Sequence, residues 1–172
     1  MAKRIGKYKI SKKESALSLV DGGIASSDVQ LQIRNPISGS NSAITITKTL
    51  HAGRTVAIPA TEGSGITHVM PTPAEGLEFH FIYVGRQVAD EDVAFDLVEK
   101  GTYEGNITWH DNNHGTSAGN AVNVVNCDES DNDLIDIKIP LAFDLHFVGK
   151  SASSYYVWGS VTSDTTPTCA NG

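Results

Sequence analysis

From Leu77 to Gly85 the chain reads LEFHFIYVG, with Leu77, Phe79 and Phe81 at one parity and Glu78 and His80 at the other. A period of two puts one set of side chains on a buried face and the other in water, the pattern of a half-buried strand. Residues 29–33, Val-Gln-Leu-Gln-Ile, alternate in the same way, and ITITKTL at 44–50 does so with β-branched residues. RTVAIP at 54–59 predicts a short strand ended by Pro59, and Ile66–Met70 another within a turn-rich stretch. Further strands are expected at GNITWH, AVNVVN and LIDIKIPLAFDLHFVG, the last broken or bent at Pro140 because proline cannot donate to a ladder. YYVWGSVTS reads as the final strand. The segment DEDVAFDLVEKG fits two structures. Asp90 and Gly101 would suit the ends of a helix, whereas Val93, Phe95 and Leu97 alternate as in a strand; strand-like neighbours favour the strand.

Many short strands, frequent Gly, Ser, Asn and Thr turns and little helical periodicity predict an all-β fold, an antiparallel β-sandwich or jelly-roll. Alternating βα units and solenoid-length repeats are absent from the sequence. The N-terminal region differs. Ser11-x-x-Glu14 is a capping-box pattern ahead of Ala16, Leu17, Leu19 and Val20, and Gly22-Gly23 would end a helix of about two turns. A helix that short needs a surface to lie on. Residues 1–23 are therefore expected to form a basic arm with a short amphipathic anchor, and residues 24–172 the sandwich body.

Charge sharpens that division. Residues 1–13 carry Lys3, Arg4, Lys7, Lys9, Lys12 and Lys13 and no acid, whereas the remainder has seven basic and twenty acidic residues, so +6 against −13 within a net −7. The body should on average be repelled by nucleic acid and by anionic lipid. A chain of 172 residues, 40% hydrophobic, is long enough for one domain with a proper core. The basic start lacks the apolar run of a secretory signal, and no apolar stretch reaches membrane-spanning length. Production in a reducing cytoplasm is the expectation, with Cys127 and Cys169 as free thiols rather than a bridge.

Candidate chemistry is sparse. His110, Asp111 and His114 in WHDNNHG are ligating types, but Asn112, Asn113 and Gly115 make a polar hairpin tip the simpler reading. Asp128, Glu129, Asp131, Asp133 and Asp136 could gather Ca²⁺, yet the glycine and closing glutamate of an EF-hand are missing, and a solvated acidic loop is the simpler reading. No Gly-x-Ser-x-Gly elbow and no phosphate-cradling loop is present, and nothing singles out a pair of acids for glycoside hydrolysis. No catalytic residue, metal ligand or cofactor is assigned. Trp109, Tyr155 and Trp158 could serve as sugar platforms. In a strand, Tyr156 and Trp158 share a face, and core filling is the simpler reading. The arm could bind nucleic acid, cover an acidic protein surface, or have no role. Tyr8 is its only stacking aromatic, which favours a protein surface.

At both ends the sequence is similar to a known class. GKYKISKKESALSLVDGG resembles the opening, and YYVWGSVTSDTTPTCA the close, of small virion structural proteins of tailed phages, especially marine and cyanobacterial ones; AGRTVAIPATEGSG and EGLEFHFIYVG resemble the layout of their middle. The chain departs from that pattern at Cys169, where an aromatic is expected. The resemblance implies a β-rich protein in many copies on a phage particle, made in the host cytoplasm and carried on the capsid surface as a decoration or cement protein. Its implied partners are the major capsid protein and copies of itself, as a dimer or trimer, with no membrane and no nucleic acid. Lys3, Arg4, Lys7, Tyr8, Lys9, Lys12 and Lys13, with the apolar ridge Leu17, Leu19 and Val20, would bind the capsid. The alternative role is a head or tail fibre module that binds a receptor or glycan. An enzyme, such as a glycan-cleaving virion protein, is the least supported.

Overall fold

A computed structural model describes residues 37–38, 42–60, 65–87, 91–112, 122–128, 130 and 132–172. All belong to the unit that runs from Pro36 to Gly172. The basic arm, the amphipathic anchor and strand 29–33 lie outside the described residues.

The body is an all-β sandwich of two mixed sheets. Its elements are β1 (Ile37–Ser38), α1 (Lys48–His51), β2 (Thr55–Ile58), β3 (Ile66–Val69), β4 (Glu78–Tyr83) and β5 (Asp92–Asp96). They continue with β6 (Thr102–Asp111), β7 (Val122–Asp128), β8 (Leu134–Lys138), β9 (Pro140–Gly149), β10 (Ser154–Ser163) and β11 (Thr168–Ala170). Seven strands pair in the order β1-β2-β4-β9-β10-β6-β7, and four in the order β11-β8-β5-β3. The ambiguous segment 90–101 supplies β5, the strand its alternation favoured. The pairing is not antiparallel throughout: β1 with β2, β2 with β4, β3 with β5 and β6 with β10 run parallel. β1–β2, β6–β7 and β9–β10 are consecutive neighbours within the large sheet, whereas every other connection crosses between sheets, so β4 pairs with β9 and β6 with β10 across long stretches of sequence.

Alternation decides what is buried. Phe79, Phe81 and Tyr83 of β4, Phe143, Leu145 and Phe147 of β9, and Tyr155 and Val157 of β10 face Val93 and Phe95 of β5 and Ile135 and Ile137 of β8 across the core. Phe81 packs 4.7 Å from Phe95 and 5.4 Å, edge to face, from Phe147 between ring centroids. Such tilted and T-shaped contacts add about 0.5–1.5 kcal/mol per pair beyond area burial. The break at Pro140 is a change of sheet: β8 ends at Lys138, Ile139 takes a left-handed φ of 50°, and β9 begins in the other sheet.

Four expectations are corrected. ITITKTL is not a strand: Thr45 makes an isolated bridge to Val69, and Thr47 caps the short helix α1, accepting from the Leu50 N–H. The helix turns the chain back so that Gly53, at φ +65°, can donate to Glu78 and lead into β2. β10 is not the final strand, because β11 follows and pairs with β8. Cys127 and Cys169 are not free thiols; they form a disulfide with Cα atoms 5.4 Å apart. The bridge joins β7 at the edge of the large sheet to β11 at the edge of the small one. The acidic segment is not simply a solvated loop either. Asp133 is buried, and its two carboxylate oxygens accept from the Glu99 N–H at 3.1 Å and the Gly172 N–H at 2.8 Å, so it is tied to the backbone inside the fold.

His68 on β3 is buried beside Phe95; its Nδ1 accepts weakly from the Ile44 N–H at 3.4 Å, and its Nε2 has no hydrogen-bond partner among the described residues. Burial lowers its pKa from 6.5 to about 4.

Two predictions follow from these contacts. Reducing the Cys127–Cys169 bridge, which spans 42 residues, should cost roughly 2–4 kcal/mol. That lowers the melting temperature by roughly 5–15 °C, which calorimetry with and without reductant measures; equal melting temperatures would refute it. For His68, the unfolded chain takes up a proton near pH 6.5 and the folded chain only near pH 4, so stability is full above 6.5 and falls as pH drops through this window. The loss by pH 4 should be about 3 kcal/mol. Denaturant titrations of wild type and His68→Phe across this range should show the variant lacking that component.

Candidate functional site

With the phenylalanines turned inward, the opposite parity of the same strands builds the outer face of the large sheet. Thr55 on β2 stands beside His80 on β4, His80 beside His146 on β9, and His146 beside Trp158 on β10, one row across four strands. The rings of this row stack. The two imidazoles lie 4.1 Å apart and 7° from parallel, and His146 and the Trp158 indole 5.2 Å apart and 9° from parallel. Tyr156, two residues before Trp158, packs 5.9 Å from it.

Asp144 shares the outer face, two residues before His146 on β9. One of its oxygens, Oδ1, lies 2.8 Å from His80 Nε2 and 3.1 Å from His146 Nε2. Behind His80, the Thr55 hydroxyl lies 2.8 Å from Nδ1. A hydroxyl can donate or accept, so Thr55 holds the ring in either tautomer. When it donates to Nδ1, the Nε2–H donates to Asp144. All three groups reach solvent, Asp144 most. Arg54 and Glu78, with His80, His146 and Trp158, also line an open cleft of about 280 Å³ at this point.

The close approach of β9 and β10 here depends on Gly159, at φ +139°. A Cβ at that position would sit 2.0 Å from the Asp144 carbonyl oxygen.

Of the aromatics read from the sequence, Trp109 and Tyr155 are core residues. The Trp109 Nε1–H donates to the Ser163 hydroxyl at 3.0 Å and the Tyr155 hydroxyl to the Pro71 carbonyl at 3.2 Å. Tyr156 and Trp158 do not fill the core; at 42% and 40% exposure they stand on the outer face. His110 and Asp111 end β6 and join no three-group cluster among the described residues, and His114 lies outside them. Lys3, Arg4, Lys7, Tyr8, Lys9, Lys12, Lys13, Leu17, Leu19 and Val20 all lie outside the described residues. The His80–Asp144–His146 cluster was missed because His80 lies 64 residues before Asp144 in sequence. The available signal was their parity: each is a polar residue at an outward position of a strand whose inward positions are apolar.

Comparison with protein-family models, with curated proteins and with solved structures finds no match.

Replacing Gly159 with alanine should force β9 and β10 apart. The expected loss is about 1–3 kcal/mol, from overpacking and from a φ that L-residues avoid. Thermal unfolding of G159A tests this, and a wild-type melting temperature would refute it.

Proposed function

We propose that this chain is a structural protein of a phage particle, a β-sandwich held on the capsid exterior by its basic N-terminal arm. The observation that carries this reading is the charge division: +6 on residues 1–13 against −13 on the rest of the chain. An arm so basic, on a body so acidic, suits an acidic protein surface better than nucleic acid, whose phosphates would repel the body. The resemblance of both termini to virion proteins of tailed phages supplies the context. A rigid sandwich, cross-linked at one edge, is a suitable body for repeated display on a shell. Contacts of modest strength at the arm, repeated over symmetry-related copies, give avidity without tight binding of any single copy.

A second reading, a receptor- or glycan-binding module of a head or tail fibre, is favoured by one observation. Trp158 and Tyr156 stand exposed beside the cleft on the outer sheet face. Burial of Trp109 and Tyr155 leaves Trp158 as the one residue of the three that a sugar ring could reach. Its indole already has one face covered by His146.

Deletion of residues 1–23 tests the leading reading. The shortened protein should fold as the wild type does and lose co-sedimentation with capsids. Raising the salt from about 0.05 M to about 0.5 M should weaken wild-type binding by at least about tenfold, as several exposed contacts of ~0.2–1 kcal/mol each are screened. A shortened protein that still coats capsids would refute the proposal.

A further inference from the structure

We propose that His80, Asp144 and His146 form a binding site for a divalent transition-metal ion of the Zn²⁺ class, with a fourth coordination position open to solvent. Three potential ligand atoms, two imidazole Nε2 and one carboxylate oxygen, all lie within 4.8 Å of one another. Around a tetrahedral Zn²⁺ with bonds of about 2.0–2.1 Å, neighbouring ligand atoms are separated by about 3.3 Å. The Asp144 oxygen is already 2.8 Å and 3.1 Å from the two nitrogens, so these two separations need widen by only a few tenths of an ångström. Two neutral imidazoles and one carboxylate select a transition metal over Ca²⁺ or Mg²⁺, which require a shell of oxygens.

The supporting residues fit the same chemistry. A metal-bound His80 must present its Nε2 lone pair and carry its proton on Nδ1. Thr55 lies at 2.8 Å to accept that proton, the second partner that orients ligating histidines. His80 and His146 are directly paired across β4 and β9, and Asp144 is fixed two residues from His146 on the same strand. The ligands thus sit on rigid sheet rather than on loops. The site reaches solvent through the cleft, which gives the ion an entry path and leaves room for a water or an external ligand as the fourth donor.

Binding requires one movement. Stacked imidazoles direct their lone pairs along parallel planes, so the rings must splay for both to meet a common ion, and His146 then tilts against Trp158. The indole therefore reports occupancy.

Tag-free full-length protein should be titrated with Zn²⁺ by calorimetry, and metal content counted by mass spectrometry after dialysis. The expected result is one Zn²⁺ per chain. His80→Ala, Asp144→Ala and His146→Ala should each weaken binding at least tenfold, and Thr55→Val about tenfold, while His110→Ala binds as the wild type does. Zn²⁺ should also change Trp fluorescence in the wild type but not in Trp158→Phe. His146→Gln and Asp144→Asn, which keep side-chain volume, should reproduce the loss in folded protein, as judged by circular dichroism. Absence of binding at about 1 mM Zn²⁺ would overturn the assignment. So would wild-type affinity in the His80, Asp144 and His146 variants, which would place the ion elsewhere.

Discussion

Everything on the outer face depends on the seating of Phe81 between Phe95 and Phe147. Side chains alternate along a strand, so a shift of one residue would carry every inward side chain to the surface. Phe81 locks β4 to the facing sheet through Phe95 and to β9 through Phe147. With those parities set, His80 has to face outward, and so do Asp144 and His146. The register between β4 and β9 then brings the two imidazoles directly opposite one another. The polar cluster is thus a consequence of core packing, and its precision derives from side chains that never touch it.

The same logic explains what could be read along the chain. Most strands were legible where alternation was clean, as in LEFHFIYVG, and the chain break at Pro140 followed from proline chemistry. Errors arose where local pattern and tertiary context disagreed. ITITKTL alternates well, but the chain must reverse before β2, and Thr47 supplies a helix cap that alternation does not register. In YYVW both parities carry large apolar residues, so the sequence does not say which set is buried. The partners decide it: Tyr155 lies edge-on to Phe79 in the core, leaving Tyr156 and Trp158 outside. Parallel pairing and sheet membership were illegible because they join segments far apart in sequence. The pairing of β10 with β6 is the clearest case, a ten-residue parallel ladder between strands separated by three others.

Burial of polar groups follows a similar division. Core hydroxyls find carbonyl partners: Tyr103 donates to Phe95, and Tyr155 to Pro71. Burial raises the pKa of both tyrosines, which keeps them neutral donors. Asp133 is satisfied by backbone N–H groups. His68 differs, because a neutral ring with a weakly bonded Nδ1 leaves its other nitrogen without a hydrogen-bond partner among the described residues. A buried polar atom in that state costs about 1–3 kcal/mol, which the surrounding apolar contacts must offset.

The disulfide lies at an edge where apolar closure is weak. Along β7, Cys127 is the one fully buried residue; Val122 and Val124 are exposed, and Val125 is only partly covered. β11 is three residues long with none fully buried. These two strands form the facing edges of the two sheets, and hydrophobic contact between them is too limited to hold the edges together. A covalent link there restricts the unfolded chain rather than adding contact area, so its effect does not depend on how many side chains the edge can bury. Over the middle of the sandwich, where the phenylalanines interlock, such a link would add little positional constraint. At this edge it fixes the spacing of the sheets, and the two cysteines, read apart, gave no sign that the fold would bring them together.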